Sequence, residues 1–267
     1  MPTIIHPSAV VEPGAVIGDG CNIGPYCQIG GNVVLGAGNV LRANVVIGGH
    51  TSLGDQNEVH PFACLGTEPE DKKYRRGSIT FTRIGSGNIF REFSTVNAAG
   101  KPGESTVVGS NGMFLSYSHV AHECKIGDDV VIGCDTKLAG HVQMGDHAII
   151  NGMTGVVQFV RIGRFAFIGG MNKVTKDVLP FCIADGHPSV MRGVNKIGLE
   201  RSSFATSQIR SIRSAYRTLL RQSLPLRDAI ALLKNEVGIC PEISEMIEFA
   251  ETSVLGLARS RTTIEED

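Results

Sequence analysis

Aliphatic or aromatic residues recur at every sixth position through most of the first 174 residues. The first series comprises Ile5, Val11, Ile17, Ile23, Ile29, Leu35, Leu41, Ile47, Leu53, Val59 and Leu65. The spacing returns at Ile84, Phe90 and Val96, and then at Val108, Phe114, Val120, Ile126, Ile132, Leu138, Met144, Ile150, Val156, Ile162, Ile168 and Val174. A period of six fits neither an α-helix nor a half-buried strand. It is typical of a β-helix, in which short strands stack coil upon coil.

Residues that tolerate left-handed backbone angles, chiefly glycine, asparagine and aspartate, follow many of the recurring positions. They suit the corners of a solenoid with three strands per coil. Residues 1–190 are therefore predicted to form about nine coils of β-helix. Two polar tracts, 67–82 and 98–106, interrupt the spacing and are predicted to leave the solenoid as loops. The first tract shifts the phase of the repeat, whereas the second does not.

A helical pattern replaces the six-residue spacing in the last third of the chain. Apolar residues at intervals of three and four predict an amphipathic helix over 205–222. Pro225 ends this helix, a second is predicted over 226–237, and Pro241 is placed to begin a third. The fold class is therefore an all-β solenoid followed by a C-terminal α-helical domain, 191–267.

Composition narrows the possible functions. The 33 glycines, the absence of tryptophan and the 6% aromatic content suggest narrow coils without room for large rings. A net charge of −1 gives a nucleic-acid partner no electrostatic support. No apolar stretch is long enough to span a membrane. The seven cysteines form no C-x-x-C pair, which predicts reduced thiols and a cytoplasmic location.

A coil of three strands spans 18 residues, so residue i lies beside residue i+18 on the next coil, about 4.8 Å away. This rule predicts which residues come together in a site. By this rule Gly140 lies beside His122, and His141 lies beside Glu123. One coil further the rule reaches Gln158. Two adjacent coils thus gather an imidazole, a carboxylate, a glycine and a second imidazole.

These residue types favour general base catalysis. His122 can remove a proton from a hydroxyl near neutral pH, and Glu123 can fix the imidazole tautomer. The N–H of Gly140 can stabilise the oxyanion of a tetrahedral intermediate. Two alternatives remain open at this point: His119, His122 and His141 fill exposed corners of a structural solenoid, or they ligate zinc in a metal-dependent hydratase.

Charged residues outside this group offer candidate substrate contacts. The Glu68–Tyr74 tract is either a solvated run of charges or a clamp, in which Asp71 accepts from a sugar hydroxyl and Lys72 or Lys73 meets a phosphate. A second candidate phosphate site, subject to the same alternative, comprises Arg192, Lys196 and Arg201. Four basic residues are either solvating or a contact for an acidic protein partner: Arg161, Arg164, Lys173 and Lys176.

Several segments together resemble one enzyme family, the acyl-ACP–UDP-N-acetylglucosamine O-acyltransferases of lipid A biosynthesis. They are HPSAVVEPGAVIGDGCNIGPYC, the D-x-K-Y loop, HVAHEC, LAGHV, GVN and IRSIRSAYRTLLR. The resemblance covers essentially the whole chain. It implies a left-handed parallel β-helix, a homotrimer with active sites between subunits, and no metal or dissociable cofactor. The implied reaction moves a fatty acyl group, a 3-hydroxyacyl group, from acyl carrier protein to the 3-position of UDP-N-acetylglucosamine.

The resemblance also implies residue roles. His122 is the general base, Glu123 stands at a position that is often Asp, and Gly140 is the oxyanion donor. Gly170 matches a position that limits acyl length. The residues implied to hold the sugar nucleotide or the acyl-phosphopantetheine arm are Asp71, Lys73, His119, His141, Gln158, Asn195 and Arg201.

The chain departs from the family pattern at five positions, Glu70, Asn97, Val157, Ile197 and Ser202. The base and the oxyanion donor are unaffected, so acyl transfer is still expected. The departures leave open whether the acceptor carries oxygen or nitrogen at its 3-position. The alternative function within this fold is an acyltransferase that uses acyl-CoA and a different amine or alcohol.

Overall fold

The chain forms a left-handed parallel β-helix with a helical domain at its C-terminal end, which confirms the predicted fold class. The computed structural model describes residues 2–220, 224–235 and 240–259. Within these residues, short strands build three sheets of eleven, nine and eight strands. Each coil contributes one strand to each sheet, so the solenoid has three flat faces.

In chain order the strands are β1 (Ile4–Ile5), β2 (Val10–Val11), β3 (Val16–Ile17), β4 (Asn22–Ile23), β5 (Gln28–Ile29), β6 (Val34–Leu35), β7 (Val40–Leu41), β8 (Val46–Ile47), β9 (His50–Leu53), β10 (Glu58–Val59), β11 (Cys64–Thr67), β12 (Phe81–Ile84), β13 (Ile89–Phe90), β14 (Thr95–Asn97), β15 (Ser105–Val108), β16 (Met113–Phe114), β17 (His119–Val120), β18 (Lys125–Ile126), β19 (Val131–Ile132), β20 (Lys137–Leu138), β21 (Gln143–Met144), β22 (Ile149–Ile150), β23 (Gly155–Val156), β24 (Arg161–Ile162), β25 (Phe167–Ile168), β26 (Lys173–Val174), β27 (Cys182–Asp185) and β28 (Val190–Val194). The nine-stranded sheet, which carries the candidate site, stacks β2-β5-β8-β11-β14-β17-β20-β23-β26.

The register follows the 18-residue rule except where the two loops intervene. Val120 pairs with Leu138, 18 positions on. Across the first loop the separation is 31, which leaves 13 extra residues, and across the second it is 24, which leaves six. Thirteen is not a multiple of six, so only the first loop shifts the phase. Their irregular parts are 68–80 and 98–104, shorter than predicted because the flanking residues pair within β11, β12 and β15.

Two inward-facing positions in each six-residue repeat fill the core. The recurring residue is buried on each face, and a small residue four positions later points inward at the corner, as at Cys27 and Ala63. Three buried asparagines continue this column of small residues. The side-chain oxygen of Asn39 accepts from Asn57, and that of Asn57 accepts from Asn88, at 2.9–3.0 Å. Each of these asparagine side chains therefore has a hydrogen-bond partner in the neighbouring asparagine, as buried polar groups require.

Two successive coils do accommodate large rings, so the prediction that the coils exclude them is wrong there. Phe90 and Phe114 are both buried in the core, and their rings stack with centroids 4.6 Å apart. Gly112 supplies the space. A Cβ at this position would lie 2.8 Å from the ring of Phe114 and 2.9 Å from the side-chain oxygen of Asn88.

The C-terminal region begins with the antiparallel pair β27–β28 and continues as α1 (Lys196–Arg201), α2 (Thr206–Leu220), α3 (Leu226–Lys234) and α4 (Pro241–Glu251). The predicted helices correspond to α2, α3 and α4, although the predicted ends at Gln222 and Val237 lie outside the described residues, as does the tail from residue 260. Helix α1 was not predicted because six residues carry too little periodicity. Among the described helices, none combines the length and apolar character that a bilayer crossing requires.

Two arginines fasten the helical domain to the solenoid. Arg164 donates to both carboxylate oxygens of Glu245 in α4 at 2.9–3.3 Å. Arg161 lies over the ring of Phe249 at 4.2 Å and donates to Thr252 at 2.9 Å. The sequence left these two arginines either solvated or in contact with an acidic protein partner. In the structure their guanidinium groups bind the α4 segment instead.

The stacked rings make a stability prediction. We expect Gly112→Ala to lower the free energy of unfolding by about 1–3 kcal/mol, because the new methyl group overpacks the Phe114 ring. Gly193→Ala is the matched control, since a Cβ there meets no atom within 4 Å. Denaturant unfolding followed by circular dichroism measures both variants. Equal stability of the two would contradict this packing.

Candidate active site

The corner that follows each strand of the nine-stranded sheet has the same geometry on successive coils, and this repetition brings the candidate residues together. Strand β17 leads through Ala121 into a corner formed by His122 and Glu123. The next coil repeats the corner with Gly140 and His141. Glu123 and His141 adopt left-handed φ angles of 52° and 62°, so their side chains splay outward on successive coils.

His122 and Glu123 form a buried dyad. Only 7% of His122 and 9% of Glu123 are exposed. Nδ1 of His122 and Oε2 of Glu123 are hydrogen-bonded to each other. The other oxygen, Oε1, accepts from the main-chain N–H groups of Gly100 and Lys101, both at 2.8 Å. Burial raises the pKa of Glu123, but the hydrogen bonds from His122, Lys101 and Gly100 outweigh it, so the pKa lies below the usual 4.5.

Gly140 lies against the imidazole, as the 18-residue rule predicts. A Cβ at this position would lie 2.7 Å from Nε2 of His122, so any side chain would displace the ring. The backbone is held in place because the N–H of His141 donates to the carbonyl of His122 at 3.0 Å. The N–H of Gly140 donates to no acceptor in the part of the chain that the structure describes. It is therefore available to a bound molecule.

His141 completes the corner. Its ring stacks on Phe159 with centroids 4.7 Å apart and meets the edge of the His122 ring at 5.4 Å. Nε2 of His141 lies 3.8 Å from Oε2 of Glu123. Burial lowers the pKa of His141 below 6.5, and the nearby His122 and Lys101 act in the same direction, against the carboxylates of Glu123 and Asp71.

The first loop contributes an acidic side chain on the other edge of the imidazole. Oδ2 of Asp71 lies 3.9 Å from Nε2 of His122, too far for a direct hydrogen bond. Oδ1 of Asp71 accepts from the N–H of Lys73 at 2.9 Å, which shapes the loop. Asp71, Lys73, His122 and Glu123 line a cavity of about 260 Å³ beneath the two loops. A sugar hydroxyl that donates to Nε2 of His122 would lie close to Asp71, whose carboxylate can accept from a second hydroxyl.

A groove of about 480 Å³ runs from His122 along the outer face of the nine-stranded sheet. His119 lies in this groove, where its Nδ1 forms a 2.7 Å hydrogen bond with Thr95. Burial lowers the pKa of His119 below 6.5, with the nearby Lys137 and His122 in support and Glu70 opposed. The remaining lining includes the small residues of successive coils and several polar side chains: Asn97, Ala121, Ala139, Gly140, Gly155, Val157, Gln158 and Lys173.

Three predicted residues lie elsewhere in the chain. Asn195 is the N-cap of α1, where it accepts from the N–H of Gly198 at 3.1 Å and donates to the carbonyl of Phe165 at 3.0 Å. Arg201 is exposed at the last residue of α1, and Gly170 is exposed at the corner after β25. None of the three lines the cavities around His122. One copy of the chain therefore does not assemble the full set.

The metal alternative takes a different form in the structure. Ligand atoms of His122, Glu123 and His141 lie within 4.8 Å of one another, the one such group found among the described residues. The group differs from the alternative of three histidines, because His119 lies outside it and Nδ1 of His119 is hydrogen-bonded to Thr95. Nδ1 of His122 and both oxygens of Glu123 are already hydrogen-bonded, an arrangement that suits a proton-transfer dyad.

Sequence reasoning missed the groups that orient this dyad. Thr95 was not considered, although the 24-residue separation across the second loop would have placed it beside His119. The N–H groups of Gly100 and Lys101 carry no side-chain signal at all. Phe159, which supports His141, was also missed, and the 18-residue rule applied to His141 would have found it.

Family models match both parts of the chain. Residues 177–258 match the second domain of the UDP-N-acetylglucosamine O-acyltransferases, and residues 2–31 and 14–49 match the bacterial transferase hexapeptide repeat. An acyl-[acyl-carrier-protein]–UDP-N-acetylglucosamine O-acyltransferase of Thermodesulfovibrio yellowstonii is 43% identical over 79% of this chain and 82% of the relative. The same enzyme of Verminephrobacter eiseniae is 42% identical over the same shares.

Solved structures agree with these relatives. The UDP-N-acetylglucosamine acyltransferase of Francisella novicida superimposes with a TM-score of 0.94 at 34% identity, covering 97% of this chain and 95% of that one. The enzyme of Bacteroides fragilis gives 0.92 at 34% identity, covering 96% of this chain and all of that one. The likeness therefore includes both the solenoid and the helical domain. The chain belongs to the acyl-[acyl-carrier-protein]–UDP-N-acetylglucosamine O-acyltransferase family.

Proposed function

We propose that the protein transfers a 3-hydroxyacyl group from acyl carrier protein to the 3-hydroxyl of UDP-N-acetylglucosamine, the first step of lipid A biosynthesis. The observation that carries the proposal is the buried His122–Glu123 dyad with Gly140 against its imidazole. Membership of the family supports the choice of donor and acceptor, because the relatives bear the name of that reaction. No residue in the proposal requires a metal or a dissociable cofactor.

In the proposed mechanism, His122 removes the proton. Glu123 accepts from Nδ1–H, so the lone pair of Nε2 faces the acceptor hydroxyl, and the carboxylate stabilises the imidazolium that forms. The 3-hydroxyl of the sugar donates to Nε2, and Asp71, whose Oδ2 lies 3.9 Å from Nε2, accepts from a second hydroxyl of the sugar. As the proton moves to Nε2, the sugar oxygen attacks the thioester carbonyl.

The tetrahedral intermediate then collapses. Its oxyanion accepts from the N–H of Gly140, which has no competing acceptor within the described residues. The carbon–sulfur bond breaks, and the imidazolium of His122 returns its proton to the departing thiolate of the carrier. The products are the acylated sugar nucleotide and the free thiol of the carrier, and the imidazole is neutral again.

The acyl-phosphopantetheine arm lies in the groove along the nine-stranded sheet in this proposal. His119 and Gln158 line that groove, while Lys73 and His141 face the loop cavity. We assign the former pair to the arm and the latter pair to the sugar nucleotide. Ala121, Ala139 and Gly155 keep the floor of the groove open for a flexible chain.

We infer that the protein is a homotrimer, because one chain leaves the site incomplete. Asn195, Arg201 and Gly170 lie away from the dyad, so their assigned roles in nucleotide binding and acyl length require a neighbouring copy. An exposed apolar column along one corner supports the assembly. Its members are Tyr26, Phe62, Phe93, Tyr117, Met153 and Met171, each at least 42% exposed, and burying such a column favours association.

We place the acidic carrier protein on α2. Arg210, Arg213 and Arg217 are exposed along this helix at spacings of three and four, so they share one face. A basic face suits an acidic partner. A cytoplasmic location fits the seven free cysteines.

The acyl-CoA alternative has less support. The relatives share the name of a carrier-protein-dependent O-acyltransferase, and the likeness extends over the helical domain as well as the solenoid. The same name favours oxygen over nitrogen at the sugar 3-position.

The dyad makes a prediction for activity. With acyl carrier proteins of several chain lengths and UDP-N-acetylglucosamine, we expect acyl transfer by the wild type and a loss in kcat of about 10²–10⁴-fold in His122→Ala, which lacks the base. Glu123→Gln should lose at least about 10²-fold, because the wrong tautomer is favoured. His147→Ala, an exposed histidine at another corner, is the matched control. Mass spectrometry reports the product, and full activity of His122→Ala would end the proposal.

The close approach of Gly140 makes a second prediction. We expect Gly140→Ala to lower kcat by about 10²-fold, because its Cβ pushes the imidazole out of line. Gly193→Ala is the matched control, because it adds the same methyl group outside both cavities, where no atom lies within 4 Å. A kcat for Gly140→Ala equal to that of the wild type would show that the two groups do not touch.

The buried imidazoles predict how stability depends on pH. Burial lowers the pKa of His119 and of His141 below 6.5, so the unfolded chain binds more protons than the folded chain below that pH. We expect the free energy of unfolding to fall as pH drops from about 7 towards 5. His119→Gln should make this fall shallower, whereas the exposed His6→Gln should not. Urea titrations at several pH values measure it, and a stability that rises over this range is the contrary result.

A further inference from the structure

Glu123 is a buried carboxylate whose charge is balanced in an unusual way. Its side chain is 8% exposed, and within the described residues no lysine or arginine side chain forms an ion pair with it. The balancing donors on Oε1 are two consecutive main-chain N–H groups, those of Gly100 and Lys101, each at 2.8 Å. Both belong to the second loop. Paired N–H groups of this kind form a concave anion site.

These amides, together with the hydrogen bond from His122, hold the carboxylate in its ionised form. Burial alone favours the neutral acid, which would carry a proton and could not serve as a pure acceptor for Nδ1–H of His122. Two amide donors favour the ionised form and also fix the rotation of the carboxylate. With Oε1 held by the loop, Oε2 is directed at His122. The two oxygens of Glu123 therefore have separate partners: Oε1 accepts from the loop amides, and Oε2 is directed at His122.

The second loop is itself held in place by the first. The N–H of Ala98 donates to the carbonyl of Thr67 at 2.8 Å, and the N–H of Gly103 donates to the carbonyl of Ile79 at 2.9 Å. The backbone of Glu123 is fixed independently, because its N–H donates to Thr106 at 2.9 Å. The amides and the carboxylate thus approach one another from two anchored segments.

We propose that the second loop is a positioning element for the catalytic dyad: the main-chain N–H groups of Gly100 and Lys101 keep Glu123 ionised and aimed at His122. The inference rests on the proposed function, since it concerns the base of that reaction. It assigns a role to a loop whose side chains are not needed for that role.

A matched pair of variants at one position isolates the N–H group. Lys101→Ala removes the side chain and keeps the amide donor, whereas Lys101→Pro removes the donor as well. We expect kcat of Lys101→Pro to lie about 10- to 100-fold below that of Lys101→Ala, the factor that a lost hydrogen bond to a buried charge represents. KM for UDP-N-acetylglucosamine should differ little between the two variants.

The pH profile separates positioning from simple damage. Loss of an amide donor raises the pKa of Glu123, so the ionised form is populated only at higher pH. We expect the acid limb of kcat/KM for Lys101→Pro to move to higher pH, with partial recovery of activity there. A misplaced loop without this electrostatic role would lower activity equally at every pH, and that result would overturn the proposal.

An ester at the same position is a control for any effect of the proline on folding. Replacing Lys101 by its α-hydroxy acid analogue exchanges the N–H for an oxygen and leaves the backbone path unchanged. The ester variant should show the same loss in kcat and the same shift of the acid limb. Wild-type kinetics in the ester variant would refute the role of the loop while leaving acyl transfer intact. Absence of transfer by the wild type would instead refute the proposed function.

Discussion

Everything in this molecule depends on the hydrogen-bonded stacking of one coil on the next. Because strands pair at a separation of 18 residues, a side chain on one coil acquires a fixed neighbour on the coil above. The stacking buries an aliphatic residue on every face and leaves the corners free to carry chemistry. The solenoid therefore sets the spacing between functional groups, whereas the loops determine the ionisation and orientation of those groups.

The corner at His122 shows how the two parts combine. The coils place the imidazole against Gly140 and place His141 beside Glu123, so proximity comes from the repeat. Ionisation and orientation come from segments outside the repeat, namely the second loop on Oε1 of Glu123 and the first loop at Asp71. Catalytic geometry is thus built at the corner between β17 and β18, in line with the corners of the two preceding coils from which the loops extend.

The sequence predicted what the repeat controls and missed much of what the loops control. The 18-residue rule placed His122 beside Gly140, because spacing within a solenoid is a property of chain position alone. The roles of the Gly100 and Lys101 amides could not be predicted from the sequence, since any residue other than proline supplies an N–H. The stacking of Phe90 on Phe114 was not predicted, because their space depends on Gly112, which lacks a side chain at the corner before Phe114. Arg161 and Arg164 were left as either solvated or partner-binding, because nothing in their spacing pointed to α4.

The central claim is that the acceptor hydroxyl binds at the Nε2 edge of His122. A crystal structure of the assembled protein with UDP-N-acetylglucosamine measures this directly. The 3-oxygen of the sugar should lie about 3 Å from Nε2 of His122, within reach of Asp71 and on the side of the groove that Gly140 borders. A sugar whose 3-oxygen faces His119 or solvent, with the Nε2 edge of His122 empty, would contradict the account.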